Sequence, residues 1–129
     1  MLLLNTIRNL SQVNLNLQNI ICKAKYLFII SHMRSRSSVL SHILGSNPDV
    51  CGYAELHVPY RSRRALFTMR LMLSNDLKCK LTNKYLLDKI LHDRFFVADK
   101  IFTIAKPKVI FLLRDPESTF KSIIDMDFA

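Results

Sequence analysis

The chain has 129 residues, of which 50% are hydrophobic, and this length suits one globular domain rather than two. With two glycines, four prolines and no low-complexity stretch, the composition argues against a long linker or a disordered tail. The formal net charge of +9 predicts an anionic partner, which could be a nucleotide, a nucleic acid or an acidic surface.

The N-terminal segment begins with an apolar run at residues 1–4, which Asn5 and Arg8 interrupt. The run is too short for the core of a signal peptide or for a membrane span, so we expect a cytoplasmic protein. Leu and Ile recur at mixed spacing over residues 5–23, which indicates a helix or an irregular lead-in. We therefore divide the chain into a lead-in, 1–24, and a domain, 25–129.

The first strong strand signal is the apolar run at residues 26–30, which is typical of a strand buried on both faces of a parallel sheet. Residues 37–44 have helical spacing and end at Gly45, a common helix stop. Residues 50–53 are long enough for a second short strand. The order strand, loop, helix, strand is typical of a parallel α/β sheet.

The middle of the chain is less regular. Residues 54–60 are a predicted loop that carries Glu55 and His57. Residues 61–73 and 82–91 are predicted helices, and residues 95–104 are predicted to contain a strand.

The second strong strand signal is the apolar run at residues 108–113. Asp115 and Pro116 follow Arg114 and predict a helix start, because Asp is a good N-cap and a proline in the first turn loses no intrahelical hydrogen bond. The helix is predicted to continue to about residue 125.

Four arginines lie within 61–73: Arg61, Arg63, Arg64 and Arg70. We interpret them as a solvated basic face rather than a nucleic-acid groove, because no aromatic residues are interleaved for base stacking. The three cysteines are Cys22, Cys51 and Cys79. They are widely spaced and odd in number, which predicts buried or half-buried thiols rather than a disulfide framework or a zinc site.

The first candidate site is the segment HMRSRSS at residues 32–38, between a buried strand and the start of a helix. Such a turn presents free N–H groups and the positive end of the helix dipole, which together bind anions. The serine hydroxyls and the charge of Arg34 would strengthen this binding. An ATPase phosphate loop is poorly supported, because the segment lacks both the glycines and the lysine of that motif. A solvated loop with a helix cap is the alternative.

The second candidate site is Arg114, at the end of the second strong strand, where α/β sheets place their ligands. Ser122 lies eight residues further on, about two helical turns, and could point to the same side. The alternative for Arg114 is a structural salt bridge with Asp115 or Glu117.

These segments together resemble the PAPS-dependent sulfotransferases, which use 3′-phosphoadenosine 5′-phosphosulfate (PAPS) as sulfuryl donor. Residues 26–40 (YLFIISHMRSRSSVL), continued by LGSNPDV at 44–50, resemble the phosphate-loop segment of that family. CGYAE at 51–55 is similar to the acidic segment of the protein-tyrosine and Golgi carbohydrate branches. VIFLLRDP at 109–116, with Ser122, is similar to the 3′-phosphate motif.

The resemblance implies a three-layer α/β fold of the P-loop type, with a parallel sheet flanked by helices and incomplete at the C-terminus. It implies a set of residues around the 5′-phosphosulfate: Arg34, Ser35, Arg36, Ser37 and Ser38. Arg114 and Ser122 would hold the 3′-phosphate. Arg36 stands where the family has glycine, so it would either add charge to the pocket or obstruct it.

The resemblance also implies the chemistry. Arg34 would stabilise the charge that develops on the departing phosphate oxygen. Glu55 is the best-placed general base and His57 the reserve, although Glu55 could also be an exposed loop carboxylate. We expect no metal and no membrane span. The acceptor would be a hydroxyl of a small molecule, a carbohydrate or a peptide.

Two other functions remain open from the sequence. One is a basic module on the same fold that binds anions or nucleic acid without catalysis. The other is a nucleotide kinase, which ranks last because the chain lacks the required phosphate loop.

Overall fold

The predicted α/β class is confirmed. In the computed structural model, which describes residues 1–91 and 96–128, four parallel strands form one sheet flanked by five helices. The strand order is β2-β3-β1-β4. In chain order the elements are α1 (Leu2–Ile21), β1 (Lys25–Ser31), α2 (Ser37–Gly45), β2 (Val50–Cys51), α3 (Arg63–Leu77), β3 (Tyr85–Leu91), α4 (Asp99–Ala105), β4 (Lys108–Leu112) and α5 (Pro116–Phe128).

Strand β1 is buried on both faces, as its apolar run predicted. Tyr26 and Phe28 belong to the core that includes buried residues of α3 and α4. Leu27 and Ile29 belong to a second core on the opposite face, against α2. Successive side chains of a strand point to opposite faces, so an unbroken apolar run is needed where helices cover both.

Strand β3 occupies a segment, 82–91, that was predicted to be a helix, and this prediction is wrong. Tyr85–Leu91 pairs in parallel with β1 along seven residues. Its leucines and its lysine favour a helix intrinsically, and Asp88 and Lys89 interrupt the apolar pattern typical of a buried parallel strand. The partners of both charged side chains lie far away in the sequence, so the local sequence pattern favoured a helix and the prediction was wrong.

The strand predicted within 95–104 is also wrong in the described part of that range. Asp99–Ala105 forms helix α4, and Ile101 is completely buried in the larger core. The one strand-like feature described there is an isolated parallel bridge between Tyr60 and Val97. Residue 95 lies outside the described residues. The β-favouring Ile and Thr of this segment misled the prediction, because tertiary packing overrides such weak local preferences.

Helix α1 is attached to α3 through the side chain of Asn19, which is 1% exposed. Its Nδ2 donates to Ser74 Oγ at 2.8 Å and to the carbonyl of Cys79 at 2.9 Å. Its Oδ1 accepts from the amide of Leu81 at 2.9 Å. The lead-in is therefore a helix whose buried contact is a satisfied polar network rather than an apolar stripe.

Arg70 caps the C-terminal end of α1. Its Nη1 donates to the carbonyls of Asn19, Ile20 and Cys22 at 3.3, 3.0 and 2.6 Å, and its Nε donates to Tyr26 Oη at 2.8 Å. A cation is stabilising at the negative end of a helix dipole. The interpretation of Arg70 as part of a solvated face is thus wrong. The other three arginines of that group are exposed: Arg61, Arg63 and Arg64.

The cysteines are free, with Cys51 buried and the other two half-buried, as predicted. Burial raises the pKa of the Cys51 thiol to about 11, so this thiol stays protonated at neutral pH. None of the helices in residues 1–91 and 96–128 combines the length and the apolar character needed to cross a membrane.

Replacing Asn19 with alanine should lower the free energy of unfolding by about 2–4 kcal/mol, because the buried Leu81 amide and the Cys79 carbonyl lose their partner. Urea denaturation followed by circular dichroism measures the change. Asn9→Ala is the matched control, since Asn9 is exposed on the same helix and gains the same helix propensity. Equal effects of the two substitutions would show that the network does not stabilise the fold.

Candidate functional site

A cavity of about 460 Å³ opens at the carboxyl edge of the sheet. Four of its lining side chains are cations and one is a carboxylate. The lining residues are Met33, Arg34, Arg36, Ser37, Ser38, Glu55, Lys89, Leu91, Arg114 and Ser122. The excess of positive charge attracts an anion into the cavity.

The turn between β1 and α2 forms one wall of this cavity. The backbones of Arg34 and Arg36 are left-handed, with φ of 62° and 65°. Such a conformation costs a non-glycine residue about 1–3 kcal/mol. Arg36 thus adopts, at the position where the phosphate-loop pattern has glycine, a conformation that glycine favours. Its exposed side chain lines the cavity, immediately before α2 begins at Ser37.

Arg34, Arg114 and Ser122 meet although they are far apart in the sequence. Arg34 Nε donates to Ser122 Oγ at 2.8 Å. Arg114 Nη1 donates to the backbone carbonyl of Arg34 at 3.1 Å. The end of β4 and the first turns of α5 therefore lie beside the loop that follows β1, at the same edge of the sheet.

His32 links these two loops, a contact that the sequence did not indicate. The backbone amide of Arg114 lies 2.9 Å from His32 Nε2, and His32 Nδ1 lies 2.9 Å from the carbonyl of Met33. An amide can only donate, so Nε2 accepts and Nδ1 carries the ring proton. This neutral tautomer of His32 holds Arg114 against the loop that follows β1.

The helix after Arg114 starts as predicted. Asp115 Oδ2 accepts from the backbone amide of Ser118 at 2.7 Å, the contact of an N-cap. The same amide lowers the pKa of the Asp115 carboxyl. Asp115 therefore serves α5, and the guanidinium of Arg114 faces the cavity.

Lys89 is the site residue that sequence reasoning missed. It is 8% exposed, and its Nζ lies 2.8 Å from Ser38 Oγ and 3.0 Å from Glu55 Oε1. The predicted helix over 82–91 did not indicate where the Lys89 side chain would point. In β3 it lies on the same face of the sheet as Ile29 of β1 and so points toward α2. A charged pair inside a short apolar run was the signal that could have revealed it.

Glu55 lies between two cavities. Besides the first cavity it lines a second one of about 400 Å³, together with Ser38, His42, Tyr53, Ala54, His57 and Lys89. His57 Nδ1 is 4.0 Å from Glu55 Oε2, and the His57 side chain is 57% exposed. His57 does not line the first cavity. Glu55 is thus the carboxylate that a group entering from either side can reach.

Ser35 lies apart from the other predicted loop ligands. It lines a third cavity of about 500 Å³, which shares Arg36 and Arg114 with the first and is otherwise largely apolar. Ser35 is 4% exposed, and in the described part of the chain its Oγ has no hydrogen-bond partner. A buried hydroxyl without a partner costs about 1–3 kcal/mol, which favours contact with a ligand or a water there.

Asp88 holds the loop that carries Glu55. Tyr60 Oη donates to Asp88 Oδ2 at 2.6 Å, and the amide of Leu56 donates to Oδ1 at 3.0 Å. At the start of this loop Gly52 has φ of 107°, and a Cβ there would lie 2.5 Å from the carbonyl of Leu87. The loop therefore lies against β3 at two points, Gly52 and Leu56, on either side of Glu55.

A metal site is not visible in residues 1–91 and 96–126, where no three His, Cys, Asp or Glu side chains lie close enough to hold an ion. Comparisons with protein-family models, with curated proteins and with solved structures gave no match.

Asp88 makes the stability of the fold depend on pH. Burial raises its pKa from 3.8 to about 6, although the hydrogen bonds from Tyr60 and Leu56 act to lower it. The folded chain holds this proton more tightly than the unfolded chain, so this contribution to stability is complete below pH 3.8 and is lost as the pH rises to about 6.

Relative to Asp88→Asn, the wild-type free energy of unfolding should fall by about 3 kcal/mol across that window and then stay level. Urea denaturation of both proteins between about pH 4 and 8 measures the difference. A difference that is constant, or that moves in favour of the wild type as the pH rises, would contradict the assignment of a raised pKa.

Proposed function

We propose that this chain is a PAPS-dependent sulfotransferase that transfers a sulfuryl group to a hydroxyl acceptor. The observation that carries the proposal is the convergence of Arg34, Arg114 and Ser122 on one cavity from opposite ends of the domain sequence. A nucleotide that carries anionic groups at both its 3′ and 5′ positions requires two cationic subsites close together.

The lining of this cavity supports the proposed donor. The N-terminus of α2, with Ser37, Ser38 and Arg34, would hold the 5′-phosphosulfate through amides, hydroxyls and one full charge. Arg114 and Ser122 would hold the 3′-phosphate. Ser35 lines the adjoining cavity together with Arg114, and its buried hydroxyl, which has no hydrogen-bond partner among residues 1–91 and 96–128, offers a further donor there.

The residues of the chain would assist transfer in three ways. When bound, PAPS supplies the sulfuryl group on its 5′-phosphate. Arg34 and Lys89 would stabilise negative charge on the phosphate oxygen from which sulfur departs. Glu55 would accept the proton of the attacking hydroxyl, and its 3.0 Å contact with Lys89 orients the carboxylate for this role. His57 would be the second choice of base because it does not line the donor cavity.

The second cavity is the proposed route of the acceptor. It shares Ser38, Glu55 and Lys89 with the first cavity and is otherwise lined by His42, Tyr53, Ala54 and His57, with none of the arginines. A small molecule, a carbohydrate or a peptide with a free hydroxyl could occupy it. Donor and acceptor would then meet at the Glu55–Lys89 pair.

Replacing Arg114 with alanine should weaken the binding of 3′-phosphoadenosine 5′-phosphate at least about 10-fold, because a charge-assisted contact to the 3′-phosphate is lost. Binding of adenosine 5′-monophosphate, which lacks that phosphate, should be weak and nearly unchanged. Isothermal titration calorimetry measures both.

Arg64→Ala is the matched control for this test, because it removes the same charge from an exposed position on α3. Equal affinity of the wild type for the two nucleotides would overturn the proposal. A loss of affinity in Arg64→Ala as large as in Arg114→Ala would favour the rival function, a basic module that binds polyanions through its overall charge.

Replacing Glu55 with glutamine should slow sulfuryl transfer about 10²- to 10⁴-fold by removing the base, with nucleotide affinity unchanged within about threefold. Transfer from labelled PAPS to a panel of phenol, sugar and peptide hydroxyls measures the rate. Asp49→Asn, at an exposed carboxylate, is the control and should have no effect. An unchanged rate in Glu55→Gln would show that another group takes the proton.

A further inference from the structure

Helix α1 has its polar face toward the body of the protein and its apolar face toward solvent. Gln12 Nε2 donates to the carbonyl of Ser74, and Asn16 Nδ2 donates to Asn75 Oδ1. The opposite face carries large exposed apolar side chains: Leu3 77%, Ile7 56%, Leu10 66%, Leu17 60% and Ile21 83%. A helix that simply covers a core has the reverse orientation.

The exposed face follows a heptad repeat, in which the spacing alternates between four and three residues. The a positions are Ile7, Asn14 and Ile21, and the d positions are Leu3, Leu10 and Leu17. All six are exposed. Gln12 and Asn19 fall at f, the position opposite the a/d seam, and these are the residues that contact α3.

We propose that two copies of this chain pair through α1 as a parallel two-stranded coiled coil. Isoleucine at a with leucine at d favours two parallel strands. A single asparagine at an a position specifies register and dimeric state at a cost in stability, because its amide can pair with the matching amide of the second copy in one register. Asn14 is that residue, and it lies at the middle a position of the seam.

The charge distribution favours a second copy over a membrane surface. The chain carries a net charge of +9, which repels another copy over most of its surface. Helix α1 has one charged side chain in 20 residues, Arg8, so this face can approach itself without repulsion. Helices that bind anionic membranes are rich in Lys and Arg beside the apolar stripe, and α1 is not.

The available area agrees with a specific contact. A fully buried Leu or Ile removes roughly 100 Å² of apolar surface from water. The apolar seam residues are 56% to 83% exposed, and Leu4 and Val13 beside them are 66% and 55% exposed. Pairing two such faces would bury on the order of 1,000 Å² in total, about the lower limit for a stable interface.

Sedimentation velocity over about 1–300 µM tests the proposal, with a monomer–dimer equilibrium expected for the wild type. Leu10→Asp should weaken dimerisation at least about 100-fold, because each copy loses an apolar seam residue and two carboxylates face each other. Asn9→Asp adds the same charge to an adjacent exposed position outside the seam and should leave the dimer within about threefold. Circular dichroism checks that all variants stay folded.

Asn14→Ile gives a second, opposite readout. It should tighten self-association at least about 10-fold and allow species larger than a dimer, because the residue that specifies two strands is gone. A wild type that stays monomeric over the whole range would overturn the proposal, and so would equal effects of Leu10→Asp and Asn9→Asp. Binding of a monomeric wild type to vesicles of phosphatidylserine and phosphatidylcholine, abolished by Leu10→Asp, would identify a membrane as the occupant instead.

Discussion

Two neighbouring charges in the middle of the sheet, Asp88 and Lys89, hold the candidate site together. They are consecutive in β3 and therefore point to opposite faces. Asp88 fixes the loop through Leu56 and Tyr60, while Lys89 contacts Glu55 and the start of α2. Neither charge could remain buried without these partners, because an unpaired buried charge costs several kcal/mol. The contacts that stabilise these two charges in β3 therefore also position Glu55, the proposed base.

The parallel sheet explains why the cations converge. The carboxyl ends of parallel strands share one edge, so the residues that follow β1 and β4 become neighbours. His32 and the amide of Arg114 then join the two loops directly. Four cations next to one carboxylate give this edge an excess of positive charge, which supports the proposed anionic donor. The proposed acceptor would enter through the second cavity.

Polar contacts also set the orientation of α1. Asn19 bonds to three polar groups, and Arg70 binds the carbonyls at the end of the helix. These bonds are directional, so they fix which side of α1 faces α3. The apolar side is consequently left exposed, and the proposed pairing of two copies follows from an orientation that hydrophobic packing alone would not produce.

From the sequence alone, the apolar runs of β1 and β4, the helix α2 and the Asp115 cap were predictable, because each depends on residues close together in the chain. Arg34 and Arg114 were recognisable as candidates for the same reason, since each follows a strong strand, and Ser122 lies two helical turns beyond Arg114. The tertiary structure alone decided that 85–91 is a strand, that Lys89 faces Glu55 and that Arg70 caps α1. Those outcomes depend on partners 28 to 60 residues away, which pair with the strand and stabilise charged side chains in places that local propensity disfavours.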